Sequence, residues 1–458
     1  MSPVTPWRAI AIIGLGTLVA PLDSAVNIAF PSITSAFDIP VRDIQWVITM
    51  FGLAQTSLTL VFGKVGDRHG HQRVFVAGLM VSALALILCA TAASYPALVL
   101  MRVLQGVGAG LVMACGPALI SFAMPPDQRR RALAIYTILI GLGMCIGPLI
   151  GGLLVQLAGW PAVYWFRVPI ALIALLLLRD LRGLEDHADL QAARALARTQ
   201  PFDRSGALML VLALALSVFV IVQLRDPALG HGSILLAVVV VVSAFAYLYQ
   251  RGDRVANPVI RLRYFADRRF RDLQIAAIVI QALTFSLLLL VPYRLALWPG
   301  LSLAGSGVVL ALFPAGAMLA GVLSTRLTRR ISSTQLVWSG MSIAGFGLLA
   351  CAGFSTSGWL LPTALAMLLT GIGLGLFQVG HLDATVSAMP VGERGVAGSL
   401  VSVGRVLGFS LSANLVMWAH DAMRGVSELP SDYGRSLLVA GAVLLIAAAV
   451  FGICHRQR

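Results

Sequence analysis

Gly63-Lys64-Val65-Gly66-Asp67-Arg68-His69-Gly70-His71-Gln72-Arg73 sets an acid, a lysine, two arginines and two histidines between two long apolar runs. Its glycines permit a tight reversal that other residues resist, and so short a stretch has little chain to wander. Charge packed this densely between membrane-length segments belongs at a membrane face. The stretch therefore reads as a short loop joining two spans.

Composition extends that reading to the whole chain of 458 residues. Hydrophobic residues make up 59% and charged residues 11%, and the mean hydropathy is +0.90. A chain with so little charge cannot coat an aqueous surface, so the expected class is an all-α polytopic membrane protein. The five cysteines all fall in apolar runs with no C-x-x-C spacing, so neither disulfides nor a metal site is expected. No cofactor is expected either.

Apolar runs of roughly spanning length lie at about 9–31, 44–62, 74–93, 97–124, 132–156, 161–178, 205–224, 232–249, 273–294, 303–325, 334–354, 360–387, 395–418 and 434–454. Fourteen spans put both termini on one side. With that side inside, the cytoplasmic segments hold 25 Lys/Arg and the outer loops four (Arg42, Arg225, Arg424 and Arg435). The same asymmetry accounts for the net charge of +14 without a nucleic-acid partner, the lipid bilayer being the expected surface. A multi-pass protein of the bacterial inner membrane follows, with a monomer as the expected working unit.

The chain also repeats itself. Gly106-x-Gly108-x-Gly110 returns as Gly371-x-Gly373-x-Gly375, and Met124-Pro125 with Arg129 returns as Met389-Pro390 with Arg394, a shift of 265 positions (371 − 106). The opening stretch has a degraded echo at 324–330, where Thr328 stands in place of Asp67. The expected organisation is a six-span bundle at 1–178, linkers and a central pair at 179–272, and a second six-span bundle at 273–458. Repeated halves of this kind bind substrate between them near the midplane.

Charges inside the runs are the candidate functional groups. Asp23 lies deep in the first run, where a carboxylate must be paired, protonated or facing a polar cavity. Burial disfavours its ionised form, so proton uptake near neutral pH is one reading and a structural ion pair the other. Asn27 shares its helix face. Arg102, in R-x-x-Q-G with Gln105, falls at a similar depth and either pairs with Asp23 or snorkels outward. Gly143, Gly147 and Gly151 recur every four residues beside Pro148 and Gly152, which gives a smooth face and a bend. His381, Asp383 and Arg405 form a second titratable cluster, unless Asp383 reaches the cytoplasm and His381 simply packs. Arg167 and Arg294 read as snorkelling anchors at span ends.

Taken together, Leu22-Asp23-x-x-Val26-Asn27-x-Ala29-x-Pro31, Gln45-Trp46-Val47, the Gly63 stretch, the Arg102 motif and the span-5 glycines resemble the fourteen-span drug/proton antiporter branch of the major facilitator superfamily. The likeness covers nearly the whole chain. It implies rocker-switch export of an amphipathic small molecule driven by protons. Asp23 would be the protonation site and Arg102 its partner. Gly63, Asp67, Arg68, Gly70 and Arg73 would form a cytoplasmic gate, with Asp67 meeting the start of span 13. Gly143, Gly147, Pro148, Gly151 and Gly152 would be the antiporter motif. The chain departs from multidrug members of that branch in lacking acids in spans 10 and 13, in carrying His381 and Asp383, and in having Arg167 for a usual asparagine.

A second transport reading is a dedicated carrier of a metabolite, sugar or organic anion, with Arg102 and Arg405 as anion anchors. A membrane-embedded enzyme is disfavoured by the absence of H-E-x-x-H or any clustered Asp/Cys/His set. A receptor would need neither the intramembrane carboxylate nor the glycine face.

Overall fold

The computed structural model describes residues 6–125, 128–181, 203–223, 231–255, 262–327, 331–389 and 429–456, with isolated positions 195, 258, 404, 407–408 and 411–412. These residues fold into helices alone. The first apolar run forms α1 (Pro6–Leu18), a 3₁₀ turn at Pro21–Ser24, α2 (Ala25–Ile28) and α3 (Phe30–Phe37). The α-helical ladder is interrupted at the 3₁₀ turn, yet Trp7–Ile28 remains one span, as hydropathy leads one to expect. Pro21 removes a backbone donor and fixes its own φ, so the helix stops there.

Next come α4 (Gln45–His69), α5 (His71–Ala90), α6 (Tyr95–Ala123), α7 (Arg129–Ala158), α8 (Ala162–Trp165) and α9 (Arg167–Leu177). A pair follows, α10 (Arg204–Gln223) and α11 (His231–Arg254). The chain then runs through α12 (Arg268–Ala296), α13 (Leu303–Leu327), α14 (Ser333–Thr356), α15 (Leu360–Ser387) and α16 (Leu429–Arg456). Among the described residues, eleven helices are long and apolar enough to cross a membrane, or twelve when α4, bent by 47° near Leu60, is included. In the run at 205–224 the apolar stretch that counts, Arg204–Val220, is shorter than that, and the run at 395–418 lies outside the described residues but for a few isolated positions. Many exposed leucines, valines and phenylalanines on the outer surface fit a bilayer rather than water.

The opening stretch is not the loop that its charges foretold. α4 continues through Gly63 to His69, and α5 starts at His71, leaving Gly70 alone between them at φ +102°. A helix satisfies its own backbone, so polar residues at a membrane exit have no reason to unwind. Only Gly70 adopts the left-handed conformation that the turn demands. A side chain at Gly66 would collide with His71 Nδ1. His71 uses that space to fold back on Asp67.

Glycines set the helix crossings. On α6, a Cβ at Gly106 or Gly110 would meet the α4 backbone at Phe51 O (2.5 Å) or Gln55 O (3.0 Å), while one at Gly108 would meet Ser82 on α5. On α15, Gly371 and Gly375 abut the α13 backbone at Phe313 and Ala317, and Gly373 abuts Ala344 on α14. The sequence repeat is thus a repeat of packing. α7 runs alongside α1 and antiparallel to α13, and α14 runs antiparallel to α16. The start of α1 and the end of α16 consequently lie at one face of the bundle, here called the termini face.

Candidate functional site

The 3₁₀ turn in the first run presents Asp23 to two helices, α6 and α9. Arg102 of α6 donates from Nη1 to Oδ1 (2.6 Å) and from Nη2 to Oδ2 (2.7 Å), a bidentate fork. Gln105 Nε2, one turn along α6, donates to Oδ1 at 3.0 Å. Arg167 Nη1, at the start of α9, reaches Oδ1 at 2.7 Å. Asp23 keeps 12% side-chain exposure, whereas Arg102 and Arg167 keep 1% and 0%. The carboxylate is therefore not open to bulk water.

Each partner is itself fixed. Arg102 Nε donates to Val47 O (2.7 Å), Nη1 also donates to Gln105 Oε1 (2.7 Å), and the guanidinium lies 4.3 Å over the Phe51 ring. Arg167 Nε donates to Val163 O at 3.0 Å, and its guanidinium sits beside the rings of Tyr164 and Phe166. All four contacts of Asp23 come from donors, so this arrangement holds the ionised carboxylate. Of the possibilities read from the sequence for a carboxylate at this depth, the structure shows the paired one, with two guanidiniums as partners. Proton uptake here requires the arginines to let go.

Arg167 corrects the sequence reading outright. It is no snorkelling anchor: it lies within the span Ala162–Leu181, fully buried, with Nη1 on Asp23. Its signal was present as a cation in an apolar run with no acid nearby in sequence. Arg294 does sit at a helix end, donating from Nε and Nη2 to Ser355 O (3.2 and 2.9 Å), 4.8 Å over the Trp298 ring. It caps the last turn of α14, where a cation meets the negative helix end.

The span-5 glycines lie along α7. A Cβ at Gly147 would overlap Ser24 Oγ, while Gly143 faces Pro21 (3.0 Å) and Gly151 faces Ala25 (3.0 Å). Ser24 Oγ lies 3.0 Å from Met144 O and 3.0 Å from Pro21 O. Met144 is four residues before Pro148, so its carbonyl is the one that the proline leaves without a helical donor. The hydroxyl next to Asp23 thus fills the gap made by Pro148. On the other side of α7, a Cβ at Gly152 would meet Leu303 O (2.5 Å) and one at Gly307 would meet Pro148 O.

The remaining candidates do not assemble as expected. Asn27 is half-buried on α2. His381 is buried, stacked on Phe377, with Nε2 3.3 Å from Gln274 Oε1; Gln274 Nε2 in turn donates to Thr385 Oγ1 at 3.2 Å. Asp383 is exposed and accepts a hydrogen bond from Ser333 Oγ, at the first turn of α14. It therefore does not join His381: neighbours two apart on a helix point in different directions. Arg405 lies outside the described residues, as does the start of span 13 expected to meet Asp67. Among the described residues, Asp67 pairs with His71 Nε2 at 3.0 Å, Lys64 Nζ donates to Pro258 O at 2.8 Å, and Arg73 is exposed.

The sequence profile described as Major Facilitator Superfamily matches residues 13–413. The chain belongs to the major facilitator superfamily. Among superfamily relatives, the tetracenomycin C resistance and export protein of Streptomyces glaucescens is 31% identical, covering 89% of this chain and 74% of that protein. The riboflavin transporter RibZ of Clostridioides difficile is 26% identical, covering 88% and 86%. In fold, the chain is similar to a peptide transporter POT solved in complex with sulfate, with a TM-score of 0.74 at 15% identity, covering 98% and 94%. Superfamily membership makes this chain a multi-pass membrane transporter of small molecules, not an enzyme, related to drug-resistance and efflux proteins.

Proposed function

We propose that the protein is a proton-coupled exporter that moves amphipathic drug-like or metabolite-like molecules by alternating access. One observation carries this reading: a bidentate Asp23–Arg102 pair, sealed with Gln105 at a 3₁₀ turn within the first span. A carboxylate and its counter-ion held at a helix interruption form a group that can trade a proton for an ion pair as the helices move. In this reading Asp23 is the protonation site and Arg102 its partner. Gly63, Asp67, Arg68, Gly70 and Arg73 close the cytoplasmic side. Gly143, Gly147, Pro148, Gly151 and Gly152 keep the first span and α13 tight against α7.

The finer architecture belongs to the same proposal. Fourteen spans comprise six-helix bundles at 1–178 and 273–458 around a central pair, and a monomer sits in a bacterial inner membrane with both termini cytoplasmic. The relatives named for tetracenomycin C export and for riboflavin transport support a small organic substrate.

The experiment is efflux from proteoliposomes under an imposed pH gradient. Asp23→Asn is expected to abolish gradient-driven transport while leaving the protein monodisperse in detergent; undiminished transport removes Asp23 from coupling. A second reading, a dedicated organic-anion transporter, is favoured by one specific observation, the surplus guanidinium of Arg167.

A further inference from the structure

Arg102 and Arg167 grip the same carboxylate but use their donors unequally. Arg102 directs all three of its nitrogens at acceptors on Val47, Asp23 and Gln105. Arg167 spends Nε on Val163 O and Nη1 on Asp23, and its Nη2 is buried with no acceptor. Two N–H groups left unmade at that depth are costly. The charge count agrees. Two guanidiniums face one carboxylate, and no second acid contacts either arginine among the described residues. The other groups around Asp23 are Gln105 on α6, Cys89 on α5 and Tyr164 on α8, none of them a carboxylate. The cluster is one negative charge short.

A guanidinium fork freed from its partner takes a carboxylate side-on, with two parallel hydrogen bonds. We propose that Arg167, together with Arg102, receives a carboxylate group of the transported molecule, which docks on Arg167 Nη2. This deepens the organic-anion reading and rests on the Asp23 cluster being the transport site. It also fixes a sign. Asp23 and the incoming carboxylate are like charges that share two guanidiniums. Neutralising Asp23 removes their repulsion and loosens its hold on both arginines, so proton and anion strengthen each other's binding. An exchanger that trades protons for cations at this carboxylate has the opposite sign.

The test uses the full-length protein in detergent, with benzoate as probe and benzyl alcohol and benzylammonium as its neutral and cationic isosteres. Affinities are read from the shift of the thermal unfolding midpoint with ligand concentration. Benzoate is expected to stabilise the protein where the isosteres do not, and Asp23→Asn to bind it about tenfold or more tightly. Wild-type affinity should rise as the pH falls through the mildly acidic range in which benzoate stays ionised. Adding Arg167→Gln to Asp23→Asn should reverse the gain, and Arg167→Lys, which keeps the charge without the fork, should reverse most of it. Benzoate no better than benzyl alcohol in both wild type and Asp23→Asn overturns the proposal, as does a benzoate response indifferent to Arg167→Gln. Should Asp23→Asn fail to fold, a wild-type affinity that does not rise on acidification overturns it equally. Proteoliposome transport that still depends on Asp23, with no benzoate response, sinks the anion site alone; a benzoate response without that dependence sinks the coupling role alone.

Discussion

Helices α4–α6 and α13–α15 are packed alike and equipped differently. In both, the third helix turns alternating glycines towards the first and second, so that backbones touch. One turn before these glycines, α6 carries Arg102 and Gln105, while 265 positions on α15 carries Met367 and Thr370. Met367 is fully buried, and Thr370 Oγ1 simply donates to Ala366 O at 2.8 Å in its own helix. No charged residue occurs in α12 between Asp272 and Arg294, whereas the first span has Asp23. The scaffold has been copied and the charge has not. Close packing at glycine is indifferent to what the adjoining turn displays, so chemistry can be placed on one side only. The second side has in its place the hydrogen-bonded chain of His381, Gln274 and Thr385.

The most severe way to break this contrast is Arg102→Met, which gives α6 the residue that α15 already bears. It strips the fork from Asp23, and unfolding in detergent is expected to show a loss of about 3–5 kcal/mol, with transport abolished. The triple change Asp23→Leu/Arg102→Met/Arg167→Leu sharpens the point. With no charge left to bury, most of that stability should return while transport does not. A triple variant as unstable as the single one would show that the cluster holds the fold together.

Gly147→Ala probes the packing itself. Its methyl group would overlap Ser24 Oγ, so a loss of about 1–3 kcal/mol is expected in the same unfolding measurement. Ser24→Ala is expected to cost about 1 kcal/mol, because Met144 O then has neither a helical nor a side-chain donor. Smallest of all is Gly63→Ala. Nothing lies within 4 Å of the added carbon, and a helical alanine is worth up to about 1 kcal/mol over glycine. A clear destabilisation there would mean that the residue serves an arrangement other than this one.

These contrasts mark what the sequence disclosed. Asp23 and Arg102 stood out because each is a lone charge in an apolar run, where lipid leaves few alternatives to pairing. The glycines at 106–110 and 371–375 announced the repeat because spacing survives when side chains do not. Arg167 was visible as a charge but misplaced, since its position near the edge of a run looked like a membrane boundary. Only its bond to Asp23 shows that it points inward. Ser24 could not have been singled out at all, because its role is to answer a carbonyl 120 residues away. The charges at 63–73 suggested a loop because polarity was read as irregular backbone, and helices are polar or apolar by side chain alone.

The crossing of α7 with α13 has one more consequence. Pro148 O, Gly152 and Gly307 meet there as bare main chain. Where two rods touch without interlocking knobs, neither has rotamers to unlock before it turns against the other. At that point the junction behaves as a smooth bearing, and an α7–α13 tilt would meet its resistance on either side of it, where Met318 and Gln156 reach across.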